Sequence, residues 1–234
     1  MRAHRLLGAC LLASLAVGLF ALTSMDLCER RSVSAPAVES SAAREGPLYA
    51  GAARVELVPT YPAIVAGYPL PRASAERATR PLFARALVLE VGGLRVGIVS
   101  VDLLTLPRTI ADEVRRGAKQ LGLAEVWVAA THAHSSMGGY DPSLVAQLSG
   151  IGRFSEAARK AVVTAVIGAL EDAVQSLAPR TLETGTESFP ELTVDRSGQD
   201  GVDSRLTRIS FRTAQLVVFA AHPTLVPRAP ASLD

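Results

Sequence analysis

Three of the four histidines in this chain stand where imidazole chemistry is useful: His132, His134 and His222. Each follows an apolar run that reads as a buried strand, residues 125–130 before the first two and residues 217–221 before the third. Strand ends are where α/β sheets tend to assemble sites, and histidine is both the commonest metal ligand and a near-neutral acid or base. Residues two apart in an extended strand share a face. If the strand continues, His132 and His134 therefore look the same way. Pro223 directly after His222 restricts that residue and turns the chain out of its strand. The chemistry such a set suits is metal binding or proton transfer near neutral pH. The competing reading is structural: a histidine at a strand end often only bonds to nearby backbone, and an isolated His-x-His pair is a weak motif. Three at equivalent positions strengthen the metal reading without closing the question.

Other residues could join them. Asp102 follows the apolar run 94–101, where it either faces a site or caps the next turn. Arg196 and Ser197 lie in the polar stretch 195–204, where an arginine is either solvated or a ligand contact. Gly138-Gly139-Tyr140 either lets backbone approach a ligand or makes a turn.

These residues need elements to hold them. Residues 53–58 alternate and stop at Pro59, as a strand does. Residues 61–72 carry three prolines and read as a loop. Residues 82–91 and 94–104 flank Gly92-Gly93, a hairpin turn signal, and the second run is apolar enough to suggest burial on both faces. Residues 109–121 have helical spacing at Ile110, Val114 and Leu121, with Gly122 as the stop. With strand 125–130 they form a crossover, which implies parallel pairing. Residues 131–153 form a long connection of the kind that often carries function. Ser155 is placed to cap a helix over 156–177, ended by Pro179. Residues 182–185, 206–212 and 215–221 read as further strands. The expected class is α/β: mixed sheets with flanking helices, preceded by one N-terminal hydrophobic helix.

Composition narrows the function. The 234 residues carry 24 Lys+Arg against 22 Asp+Glu, a net charge of +2, and 5% aromatics. That is too little positive charge for a nucleic-acid stripe and too few rings for stacking on single strands. Two cysteines, Cys10 and Cys28, make neither a disulfide framework nor a zinc knuckle. A metal here must be held by His, carboxylate, Tyr or water. After the basic start Arg2 to Arg5, residues 6–25 run without a charge, which is roughly the length of one membrane crossing. Residues 1–25 are read as a signal-anchor or a cleaved signal peptide, residues 26–49 as a flexible linker, and residues 50–234 as the folded domain. The expected location is the extracytoplasmic side, anchored or secreted.

Several segments occur in a telling order: Gly51-Ala-Ala-Arg-Val-Glu-Leu-Val-Pro59, Ala66-Gly67-Tyr68, Arg80-Pro-Leu-Phe-Ala-Arg-Ala-Leu-Val-Leu89, Val99-Ser-Val-Asp102, Thr131-His-Ala-His-Ser-Ser-Met-Gly-Gly139, Asp195-Arg196-Ser197 and Phe219-Ala-Ala-His222. From about residue 50 onward the chain resembles the N-terminal catalytic domain of the neutral and alkaline non-lysosomal ceramidases. Ser136-Met137 stands where that family has Gly-Pro, and Asp195 where it has Asn. The resemblance implies a zinc-dependent amidohydrolase that cleaves the N-acyl bond of ceramide or a similar lipid amide. It implies His132 and His222 as Zn2+ ligands, His134 as acid/base or substrate contact, and Arg196 as a contact to the substrate head group. The family's remaining ligands, a Glu and a Tyr, lie well downstream of the second ligand histidine, so the chain is expected to hold an incomplete catalytic domain. The alternative is a non-catalytic membrane-anchored fragment or binding module.

Overall fold

Gly92 and Gly93 adopt φ of 56° and 78°, the positive values a two-residue primed hairpin turn requires. They join β5 (Phe83–Val91) to β6 (Leu94–Val101). On the far side of β5, β1 (Leu48–Glu56) pairs antiparallel over its whole length, from Leu48 opposite Val91 to Glu56 opposite Phe83. The first strand thus starts five residues before the alternating stretch in which it was expected. The computed structural model describes residues 42–68, 74–195, 202–222 and 232–233. The chain divides into units Met1–Ala43 and Arg44–Asp234, and every strand and helix among the described residues lies in the second. The hydrophobic helix expected within residues 1–25 lies outside the described residues, as does most of the linker. Among the described residues no helix is long and apolar enough to cross a membrane.

The crossover forms as expected. Helix α1 (Arg108–Gln120) leads into β7 (Glu125–Ala130), which pairs parallel with β6 from Val96 opposite Glu125 to Val101 opposite Ala130. Gly122 takes φ 76° just past the helix, the left-handed stop that glycine tolerates best. The long connection after β7 contains the short helix α2 (Leu144–Ser149), capped by Ser143. Helix α3 (Glu156–Gln175) begins at its expected position, with the Ser155 hydroxyl accepting from the Ala158 amide, and ends two residues earlier than expected. A two-residue strand β8 (Ala178–Pro179) returns to the edge of β1. The resulting five-stranded mixed sheet has the order β7-β6-β5-β1-β8. The short pairs β2 (Ala63–Ile64) with β3 (Ser74–Ala75), and β4 (Arg77–Ala78) with β12 (Ser232–Leu233), tie down the loops.

Both long helices cover one face of this sheet. Helix α3 buries Ala158, Val162, Ala165, Val166, Ala169, Leu170 and Ala173, and α1 buries Ile110, Val114 and Ala118. These positions recur at three- and four-residue intervals and so form one stripe each. Small residues set the spacing between layers. A Cβ added to Gly51 would stand 2.0 Å from the Ala173 carbonyl oxygen, so β1 and α3 touch through backbone there. Burying a Val, Leu or Ile side chain in such a core contributes about 1.5–3 kcal/mol.

The opposite face differs from expectation. Along β6, Gly97, Val99 and Val101 are buried while Val96, Ile98 and Ser100 are half-buried. The reason lies in the second layer. A small antiparallel sheet, β9 (Glu183–Ser188), β10 (Arg205–Phe211) and β11 (Ala214–Phe219), packs a modest cluster of Ala50, Leu87 and Phe211 against that face. The apolar run predicts burial on both faces, yet only its helix-facing side is sealed.

Candidate metal centre

The loop leaving β7 sets the first two histidines. His132 has φ 62°, making it the one non-glycine residue with positive φ among the described residues. The strand therefore does not continue through His132 and His134, and the alternation argument gives way to a backbone reversal. Such a conformation disfavours a side chain with a Cβ, so the surrounding contacts must hold it. They are specific. The Thr131 and Ala133 amides donate to the carbonyls of Val101 and Leu103, at 2.9 and 3.1 Å.

Each of these rings is anchored at one nitrogen. His132 Nδ1 lies 2.9 Å from the Leu104 carbonyl oxygen, and His134 Nδ1 lies 3.0 Å from that of Gly67. A carbonyl only accepts, so both Nδ1 atoms carry the proton and donate. In each neutral ring the Nε2 lone pair is then left for another partner, as in metal-binding histidines whose orientation is fixed by backbone oxygen. The anchoring depends on Gly67, which has φ 90°. A Cβ there would fall 2.8 Å from His134 Cα and 2.9 Å from its Nδ1. Tyr68 meets the His134 ring edge-on, with centroids 5.9 Å apart.

His222, beyond the end of β11, completes the group. His134 Nε2 is 3.3 Å from His132 Nε2 and 2.9 Å from His222 Nε2. The three ring centroids are 4.9 Å apart pairwise, and the candidate ligand atoms all lie within 4.8 Å of one another. His132 and His222 are exposed and His134 is half-buried, so the group opens to solvent. Two lone-pair nitrogens at 3.3 Å cannot bond to each other; a positive centre between them removes the repulsion. Imidazole nitrogens at about 2.0–2.1 Å from a tetrahedral Zn2+ are about 3.3–3.4 Å apart. The His132–His134 separation fits that edge, and the His134–His222 separation is a few tenths of an ångström shorter.

The other sequence candidates fall elsewhere. Asp102 turns its carboxylate to the Phe83 amide at 2.9 Å and to Arg85, with both oxygens 2.8 Å from Nη1. Its Oδ1 is also 3.5 Å from the Thr131 hydroxyl. It is thus the clasp of three strand ends beside the histidine loop, rather than a member of the group. Gly138, Gly139 and Tyr140 are structural. A Cβ on Gly138 would sit 2.1 Å from the Ile151 carbonyl oxygen. Tyr140 is fully buried, with its hydroxyl donating to the Thr105 carbonyl at 2.9 Å. Burial pushes the Tyr140 phenol above its ordinary pKa, partly offset by the bonds to Thr105. Arg196 and Ser197 lie outside the described residues. No sequence signal marked the two anchoring carbonyls, Leu104 and Gly67. The Ala66-Gly67-Tyr68 segment is one of the family-like motifs, but nothing in it points to a histidine sixty-seven positions away in the chain.

The family model of neutral/alkaline non-lysosomal ceramidases, N-terminal, matches residues 59–200. The chain belongs to this ceramidase family. Its fold is that of solved ceramidases. A ceramidase complexed with C2 superposes with a TM-score of 0.66 at 24% identity, covering 76% of this chain and 32% of that one. Neutral ceramidase from Pseudomonas aeruginosa gives 0.61 at 22% identity, with the same 76% and 32%. This chain thus spans about a third of the length of those ceramidases. No curated protein matches it. The family match takes in His132 and His134, and His222 lies beyond its end.

Proposed function

We propose that this chain carries the histidine half of a zinc-dependent ceramidase centre, acting on the N-acyl amide bond of ceramide or a similar lipid amide. One observation carries the reading: three imidazole Nε2 atoms face one another while two of the rings are locked at Nδ1 by backbone carbonyls. His132 and His222 are assigned to hold the Zn2+. A bound zinc ion would polarise the amide carbonyl and acidify a water molecule.

The protein's own groups do the rest. His134 keeps its Nδ1 proton on the Gly67 carbonyl and turns its Nε2 toward the Nε2 atoms of His132 and His222, beside the proposed metal position. That nitrogen can take a proton from the attacking water and return it to the leaving amine, which leaves without its proton otherwise. The Leu104 carbonyl holds the His132 ring against rotation. Arg196 is assigned to the polar head of the substrate. A second reading, with His134 as a third ligand, is favoured by the equal 4.9 Å spacing of the three rings.

The test is zinc content and amide hydrolysis measured together. The purified chain should bind one zinc ion, and His132→Ala or His222→Ala should abolish it. Hydrolysis of a fluorescent N-acyl sphingoid amide should require zinc and fall with His134→Ala. A chain that binds no zinc and cleaves no lipid amide, even when supplied with the remaining two thirds of a ceramidase chain, would instead be a binding module.

A further inference from the structure

At the other end of β10 and β11 from His222 lies a cavity of about 510 Å3. It is bordered by Arg180, Arg208, Arg212, Ser210, Glu183 and Gln215. The sheet register explains the gathering. Ser210 pairs with Glu183 on one side and Gln215 on the other, and Arg208 is two residues away on the same face of β10. Arg212 follows in the turn, and Arg180 enters from the connection after β8. Three arginines and a single carboxylate thus border the cavity. Among the described residues none of the three takes part in an ion pair.

Two buried polar atoms here lack partners. Ser210 is 8% exposed, and its Oγ has no hydrogen bond. Arg180 Nε is buried and equally unsatisfied, although its Nη1 donates to the Pro179 carbonyl at 3.3 Å. Buried polar groups in native proteins are almost always hydrogen-bonded, so two donors without a protein partner in one cavity call for an acceptor that enters it. Both atoms can donate, and the cavity has an excess of positive charge. An acceptor-rich anion supplies what is missing. We propose that this cavity is a binding site for a phosphate-bearing ligand, with Arg208 and Arg212 as its charge partners and Ser210 and Arg180 as the inner donors. Its volume suits a small organic phosphate or a lipid headgroup. The site is separate from the histidine group: Gln215 to Phe219 alone spans roughly 13 Å of strand at about 3.3 Å per residue, and His222 lies beyond that strand end. It therefore stands or falls independently of the zinc reading.

The experiment titrates the whole chain with inorganic phosphate and with glycerol phosphate at fixed ionic strength, by calorimetry. Chelator is present throughout, so that phosphate on a bound metal contributes nothing. Saturable binding is expected. Arg208→Gln and Arg212→Gln, both at exposed positions, should each weaken it about tenfold or more, and Ser210→Ala several-fold. Glu183→Gln should tighten it, a change that a purely structural role would not produce. A second arm floats the protein on vesicles containing phosphatidic acid. Vesicle binding with the same arginine dependence, competed by glycerol phosphate, identifies the phosphate as a lipid headgroup; soluble binding alone identifies a free phosphate compound. If neither probe binds up to tens of millimolar, or if binding ignores all four substitutions, the proposal is overturned.

Discussion

Replacing Gly67 with alanine separates the two roles open to His134. Gly67 has φ 90°, where a residue with a Cβ costs about 1–2 kcal/mol more than glycine. The new methyl would sit 2.8 Å from His134 Cα and 2.9 Å from its Nδ1, closer than carbon and nitrogen can approach. Either the loop or the ring must move, and the 3.0 Å bond from Nδ1 to the Gly67 carbonyl is the contact in the way. Losing that bond forfeits about 0.5–1.5 kcal/mol and frees the ring to change tautomer. Outer-shell changes of this type lower metal affinity about 10–100-fold when the disturbed ring is a ligand. If His134 is instead the proton carrier, zinc affinity stays within about twofold while kcat falls by roughly 10²-fold or more. Zinc competition against a fluorescent chelator gives the first quantity, and steady-state hydrolysis at saturating zinc gives the second. Circular dichroism confirms that the variant is folded. A folded variant with unchanged zinc affinity and unchanged kcat would refute the claim that the Gly67 carbonyl fixes His134.

The packing makes three further outcomes measurable. Tyr140→Phe should flatten the alkaline limb of the stability curve: the folded phenol has a raised pKa, so the native state holds its proton longer and stability falls as pH climbs past about 10. Urea unfolding of both proteins between about pH 8 and 11 brackets that value, and equal slopes would contradict it. Leu170→Ala removes a fully buried side chain from α3 and should cost about 2–5 kcal/mol, read from the urea midpoint. Asp102→Ala leaves the Phe83 amide and Arg85 without their acceptor. It should destabilise by about 1–3 kcal/mol yet keep zinc stoichiometry at the wild-type value, because Asp102 lies outside the histidine group. Loss of zinc without loss of stability would reverse that assignment.

Periodicity and punctuation in the chain itself marked the main strands, the crossover and the two long helices, while the two-residue strands and α2, too short to carry a period, were left to tertiary pairing. The Gly92-Gly93 pair, the Ser155 cap and the apolar stripe through Val162, Val166 and Leu170 act through neighbours a few residues away, so their signals are local. The residue types at 132, 134 and 222 likewise announced imidazole chemistry. How these histidines meet was decided in three dimensions. His132 abandons the strand by taking positive φ, and that reversal, rather than alternation, lets its Nε2 face that of His134. The tautomers are set by carbonyls of Leu104 and Gly67, brought in from other loops. A carbonyl exists at every residue, so no side-chain pattern can mark which one will matter. The uneven cover of β6 has the same origin: an apolar run reports that burial is favourable, while the layer that supplies it comes from distant sequence.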